Sequence, residues 1–351
     1  RRNRRNRGGG GFSLLDGWDF TAHWYARQQH AQAKWLKLDA NAFATVLDET
    51  QRAFVSHMKL GDGIALNEAL CENLFMILVS VLNSIPIFVV GKPGSSKSLA
   101  MELVQANLNG DASENAFLRS LPAVEVFSYQ CSPLSTSDGI EAAFETARRY
   151  KREAPNTVVV VLLDEVGLAE QSPHLPLKVL HKVLDEGSAG EAVVGISNWA
   201  LDPAKMNRAV HLYRPAPTVD DLSITAEGMV ASANLKGYLG SLAEAYSTTY
   251  ANQQLPDFWG LREFYSTVRH INRALNVDCT ASSLDPALLA EAVLRNFGGR
   301  PAETKAVLAT FFRTIGLPLE RAPPLSVTQL VAQNLAQIEA RHLMLLTKNN
   351  A

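Results

Sequence analysis

IFVVGKPGSSKS, residues 87–98, sets the reading of the whole chain. Ile87 to Val90 are apolar and three of the four are β-branched, the signature of a short buried strand, and the run stops at Gly91. Residues 91–98 then follow the spacing G-x-x-x-x-G-K-[ST], except that Ser96 stands where the second glycine is usual. From Leu99 to Leu108 apolar residues return at helical spacing. Strand, small-residue loop and helix in immediate succession make a phosphate cradle over Gly91, Lys92, Pro93, Gly94, Ser95, Ser96, Lys97, Ser98 and Leu99. In such a loop successive backbone N–H groups face the phosphate oxygens and the helix dipole adds to them. Lys97 would reach the β and γ phosphates, and the Ser98 hydroxyl would hold Mg²⁺. Serine has a Cβ and prefers negative φ, so Ser96 impairs the loop only if that position needs φ > 0. Gly94 supplies local freedom and Pro93 stiffens the turn. A Gly/Ser turn that merely caps a helix is the competing reading of these residues, and it does not call for the lysine.

Working outward, continuous Val/Ile/Leu runs alternate with helical patterns. An amphipathic helix is expected around Asp39 to Met58, broken by Gly61–Gly63, and a second from about Ile64 to Leu82. Three further strands are expected at Val124–Tyr129, Val158–Leu163 and Val193–Ser197, with helices at Ser137–Tyr150 and Leu177–Leu184 between them. That order implies an α/β fold: a parallel sheet sandwiched between helices. From about Thr218 only helical patterns occur, near Ala226–Ala251, Trp259–Leu275, Leu284–Phe297, Ala302–Ile315 and Leu325–Leu346, which implies an all-helical lid domain. The expected division is a basic, Gly-rich leader and linker over 1–38, an α/β nucleotide-binding domain with its preceding helices over 39–217, and the lid over 218–351.

The strand VVVVLLDE, Val158 to Glu165, ends in two acids that a hydrophobic core would not ask for. Downstream of a phosphate loop, the first, Asp164, would orient Mg²⁺ and its waters, and the second, Glu165, would act as general base toward an attacking water. The next strand ends in Ser197–Asn198. An asparagine there can hydrogen-bond the γ-phosphate or the attacking water, because ligands gather at the carboxyl ends of such strands, although asparagine also closes strands as a plain turn residue. Together these residues point to ATP with Mg²⁺ as the ligand.

Composition bounds the partners. Apolar residues make up 47% of the 351 and charged ones 19%, a globular balance. The first seven residues, RRNRRNR, hold five of the 33 basic side chains, which leaves the remainder with 28 against 35 acids, a balance of −7. An acidic body argues against nucleic acid as a partner. The Arg-rich start with Gly8 to Gly11 reads as a flexible leader, and the initial Arg suggests a segment of something larger. Cys71, Cys131 and Cys279 are scattered, without a Cys-x-x-Cys pair, which fits a reducing, cytoplasmic compartment and no zinc site. Cys131 reads as a small buried filler, and His174 and His181 as surface or helix-packing residues. The longest apolar run near the middle, Leu74 to Leu82, is too short to span a bilayer.

The strings GKPGSSKSLA, SYQCSPLSTSDGI, LLDEVGLAEQSPHLPLKVLHKVLDEG and SNWALDPAKMNR resemble the AAA+ modules of the mysterin family of giant ring-finger ubiquitin ligases. The likeness is dense from about Gly63 to Arg214 and thinner through FWGLREFY to RHLMLLTKN. It implies a P-loop NTPase of the AAA+ type, with ATP turnover driving conformational change among neighbouring AAA+ modules. By position, Asn198 resembles the sensor 1 residue, Arg208 falls where an arginine finger reaches a neighbour's γ-phosphate, and Arg262 resembles the sensor 2 arginine of the lid. An ordinary surface ion pair at Arg208, with Arg214 as rival finger, stays open. Ser96 belongs to this family's own version of the loop. Ring-finger ligands are missing from this segment, so contact with the ubiquitin machinery would run through the parent protein. Two alternatives remain: a module that binds ATP without hydrolysing it, and a small-molecule kinase.

Overall fold

The computed structural model describes residues 40–61, 63–185, 190–276, 284–319 and 326–336. The leader, Cys279 and the RHLMLLTKN string lie outside the described residues.

Two helices lead into the sheet, α1 (Ala40–Ser56) and α2 (Glu68–Leu82). The second starts four residues later than its apolar spacing predicts. Asn67 is the reason: its side chain accepts a hydrogen bond from the Leu70 amide (2.8 Å) and stops the helix there, which leaves Gly63–Leu66 as an irregular segment. That segment has its own packing partner, since a Cβ on Gly228 would come within 2.7 Å of the Ala65 Cα.

Five strands follow, interleaved with helices: β1 (Ile87–Gly91), α3 (Lys97–Asn107), α4 (Ala116–Arg119), β2 (Val124–Gln130), α5 (Ser137–Glu153), β3 (Val158–Asp164), α6 (Val166–Ala169), α7 (Val179–Asp185), β4 (Glu191–Ser197), α8 (Pro203–Met206) and β5 (Val210–Arg214). The order across the sheet is β2-β3-β4-β1-β5, with every pairing parallel. Alternation sorts each strand's residues between two cores. Ile87, Val89, Val160 and Val194 pack with Leu74, Ile77 and Met101 of α2 and α3. Phe88, Val90, Val159 and Val161 pack with Ile140 and Phe144 of α5 and Leu180 of α7. Burying one such side chain stabilises by roughly 1.5–3 kcal/mol, so a strand buried on both faces needs the unbroken apolar runs seen in the sequence.

The fifth strand corrects the sequence reading, which found four. VHLYR alternates half-buried and exposed residues, as an edge strand should, and its two apolar residues, Val210 and Leu212, pack against the α2 side of the sheet.

Beyond Thr218 the elements among the described residues are helices: α9 (Val219–Met229), α10 (Ala233–Lys236), α11 (Leu239–Asn252), α12 (Leu261–Asn276), α13 (Pro286–Asn296), α14 (Pro301–Ile315) and α15 (Val327–Leu335). Thr218 and Asp221 form a capping box that opens α9. The single pattern read over Ala226–Ala251 divides into three helices. Leu242, Tyr246, Phe264, Val268, Phe297 and Phe311 fill a third core. No helix among the described residues is long and apolar enough to cross a membrane.

Candidate functional site

Because the strands are parallel and β3, β4 and β1 are neighbours, the loops after Asp164, Ser197 and Gly91 emerge side by side at one edge of the sheet. A cavity of ≈ 280 Å³ opens there. From the loop it is lined by Pro93, Gly94, Ser96, Lys97, Ser98 and Leu99, from the next two strand ends by Glu165 and Asn198, and from the helical part by Arg262.

The loop is compact and strained. Gly94 has φ +88°, and a Cβ there would come 2.8 Å from the Leu261 Cβ, so glycine is needed both for conformation and for closeness to α12. Gly91 likewise lies against Arg214, where a Cβ would meet another Cβ at 2.6 Å. Ser96 has φ 59° and ψ 22°: the place usually held by glycine does demand the left-handed region. A non-glycine residue there costs about 1–2 kcal/mol. Glu165, opening α6, is also left-handed, with φ 52° and ψ 39°.

Lys97 is only 5% exposed. Its Nζ donates to the carbonyls of Gly91 (2.6 Å) and Lys92 (3.0 Å), to Ser95 Oγ (3.4 Å) and to Asn198 Oδ1 (3.2 Å). Burial lowers its pKa to about 8, with Arg262 pushing the same way and Glu165 and Asp164 opposing. Asn198 Nδ2 donates to Glu165 Oε2 at 2.6 Å. Loop cation, strand-end amide and strand-end carboxylate therefore form one hydrogen-bonded chain. Asp164 Oδ1 accepts from the Glu165 amide (3.0 Å), and Ser98 is exposed.

This donor set fits the ligands expected from sequence. A buried ammonium resting on carbonyl oxygens suits phosphate oxygens in the same role, and the Ser98 hydroxyl on the cavity and the Asp164 carboxylate, outside its lining, are both hard oxygen donors of the kind that Mg²⁺ takes.

A sequence model of the family described as RNF213 AAA domain matches residues 63–221. The human protein named E3 ubiquitin-protein ligase RNF213 is 39% identical over 335 residues, and the zebrafish protein named rnf213-beta is 36% identical over 320. The chain is an AAA module of the RNF213 family. RNF213 is the ligase also called mysterin, so the strings quoted above carry the same assignment. The human match covers 87% of this chain and the zebrafish match 86%, but each covers 6% of the relative, so the chain spans a small part of the length of those proteins. Among solved structures, the ORC1 protein of Aeropyrum pernix covers 76% of the module and 82% of itself, at 14% identity and a TM-score of 0.47. The P-loop AAA+ fold of the family implies nucleotide binding.

Not every residue singled out in the sequence meets at the cavity, and Asp164 is among those outside its lining. Arg208 lies outside its lining, on the turn between α8 and β5, and Nη1 donates to the Ala204 carbonyl. Arg214, the rival finger, is 10% exposed and paired with Glu72 of α2. Lys92 points to the helical part, where Nζ bonds both oxygens of Asp257 at 2.7 and 2.6 Å. Cys131 is buried in the core and its thiol is pushed up to about 12 by desolvation, as suits a filler. His174 is exposed and His181 half-buried.

Sequence reasoning missed Tyr265 and Arg269, which line the cavity from α12. The signal was present, since residues three and seven beyond Arg262 share its helix face. It also missed Ile64 and Ala65, which reach the cavity because their segment is not helical. Nothing in their pattern marks them.

Proposed function

We propose that this module binds ATP in the cavity beside β1, β3 and β4 and hydrolyses it. The observation that carries the proposal is the hydrogen-bonded chain from Lys97 through Asn198 to Glu165, because it links a phosphate-binding cation directly to a candidate base. A site that only held nucleotide would need Lys97 and not the carboxylate.

The roles follow from chemistry. The loop from Gly91 to Leu99 and the Lys97 ammonium bind the phosphates, with proton-rich nitrogen facing anionic oxygen. Ser98 and Asp164 hold Mg²⁺, which, when bound, screens the charge of the β and γ phosphates. Glu165 takes the proton of the attacking water, and Asn198 orients Glu165 and that water. Arg262 adds positive charge where the transferred phosphoryl oxygens gather negative charge. Arg208, which is outside the lining of its own cavity, serves as finger for an adjacent AAA+ module. Residues 39–217 act as the nucleotide-binding domain and 218–351 as its lid, with 1–38 as leader and linker. In the parent protein, a ring-finger ubiquitin ligase of the cytoplasm, turnover would drive movement between modules, while ligase chemistry lies outside this segment.

Phosphate release separates this reading from the kinase alternative. Supplied with Mg²⁺ and ATP but no acceptor, the multi-module protein releases inorganic phosphate continuously, and Lys97→Ala in this module lowers that rate. ADP formation that requires an added acceptor, with the phosphoryl group recovered on that acceptor and not as inorganic phosphate, would favour the kinase.

A further inference from the structure

Ser96 holds a left-handed conformation that its side chain disfavours, and one residue outside the site is built to keep it there. Asn73, on α2, is fully buried among apolar neighbours such as Leu74 and Ile77. Its Nδ2 donates to the carbonyl of Ser95 at 3.0 Å. That carbonyl belongs to the peptide plane joining Ser95 to Ser96, and φ of Ser96 is the rotation about the bond leaving that plane. Fixing the carbonyl from behind therefore fixes one side of the φ angle. The remaining restraints act on the other parts of the loop: the Ser95 amide (3.3 Å) and hydroxyl (2.8 Å) donate to Lys92 O, and Lys97 Nζ holds Gly91 O.

We infer that Asn73 is a positioning residue for the nucleotide, a clamp on the Ser95 carbonyl that lets a serine occupy the glycine place of the phosphate loop. The inference rests on the ATP reading of the cavity for its functional consequence, and on geometry alone for the clamp. A buried polar side chain in an apolar helix face otherwise only costs desolvation, and the bond to the loop is what offsets it. Asn73 Oδ1 is buried and bonds no described residue, so Leu at this position leaves no orphan on the helix itself and takes from the Ser95 carbonyl the donor that grips it.

A double-mutant cycle tests this on the chain as it stands, with ATP affinity measured by calorimetry. In the Ser96 background, Asn73→Leu is expected to weaken ATP binding roughly five- to tenfold, the worth of one hydrogen bond. In the Ser96→Gly background the same change is expected to cost under twofold, because glycine reaches the left-handed region unaided. Equal losses in both backgrounds, or none in either, would overturn the clamp, since a purely structural asparagine lowers the melting temperature without regard to residue 96. A second measurement needs neither variant nor nucleotide. The Asn73 side-chain amide protons should exchange with solvent far more slowly than those of an exposed asparagine such as Asn252, and equally fast exchange would also overturn the clamp. A protected Asn73 amide in a chain that binds no ATP would uphold the clamp and defeat the ATP reading alone.

Discussion

Lys97 is held by four acceptors in a space that water barely reaches, and this sets how the site responds to pH. Its folded pKa of about 8 lies below the ordinary 10.5, mainly because burial penalises the charge. Phosphate oxygens favour the charged form, so nucleotide binds the protonated lysine. ATP affinity should be flat below pH 8 and fall several-fold between pH 8 and 9, seen by calorimetry at both values, and an affinity independent of pH would contradict the assignment. Stability of the nucleotide-free protein has the opposite sign. Between about pH 8 and 10.5 the unfolded chain binds the proton that the folded chain has lost, so folding becomes more favourable as pH rises through that window. At this scale the sequence pointed to Lys97, Asn198 and Glu165, which one hydrogen-bonded chain brings together, and to Ser98, which lines the same cavity, because a lysine, an asparagine and an acid at these places break what packing alone would choose. The φ of Ser96 was not legible, since a backbone angle depends on what grips the neighbouring carbonyl, and Asn73 lies 22 residues from Ser95.

Among elements, the central strands could be read because burial on both faces writes itself as unbroken Val, Ile and Leu. β5 escaped since an edge strand needs only Val210 and Leu212 on its inner face, and two apolar residues in five are not a signal. The start of α2 was misread because Ile64 and Leu66 continue the helical spacing, whereas the Asn67 cap and the contact of Ala65 with Gly228 decide against it. One element-level contact has a direct test. Gly195 in β4 lies opposite Phe88 in β1, and a Cβ there would come 2.2 Å from the ring. Phe88 is 1% exposed and packed in the core, so it has little room to yield. Gly195→Ala should destabilise by about 1–3 kcal/mol in denaturant titration, the usual cost of overpacking, and an unchanged midpoint would contradict the packing described.

For the whole molecule, the sheet part and the helical part meet at the phosphate loop. Gly94 abuts Leu261, and Lys92 bonds Asp257, which also accepts from the Tyr250 hydroxyl at 2.5 Å. Lys92 and Asp257 side chains are 47% and 46% exposed, and such ion pairs contribute about 0–1 kcal/mol, so this pair adds little to the packing of Gly94 on Leu261 and of Ala65 on Gly228. Family membership was legible in the sequence because long strings such as SNWALDPAKMNR are far more specific than any single motif. What this module moves was not legible, for it spans 6% of the length of its relatives.

Hydrolysis at Glu165 is the central claim, and steady-state ATP turnover by the multi-module protein, wild type against Glu165→Gln, tests it most directly. Glutamine keeps the shape and the hydrogen bond with Asn198 but cannot take a proton, so this module's share of turnover should fall about 100-fold or more with ATP binding retained. Turnover by Glu165→Gln as fast as by the wild type would contradict it.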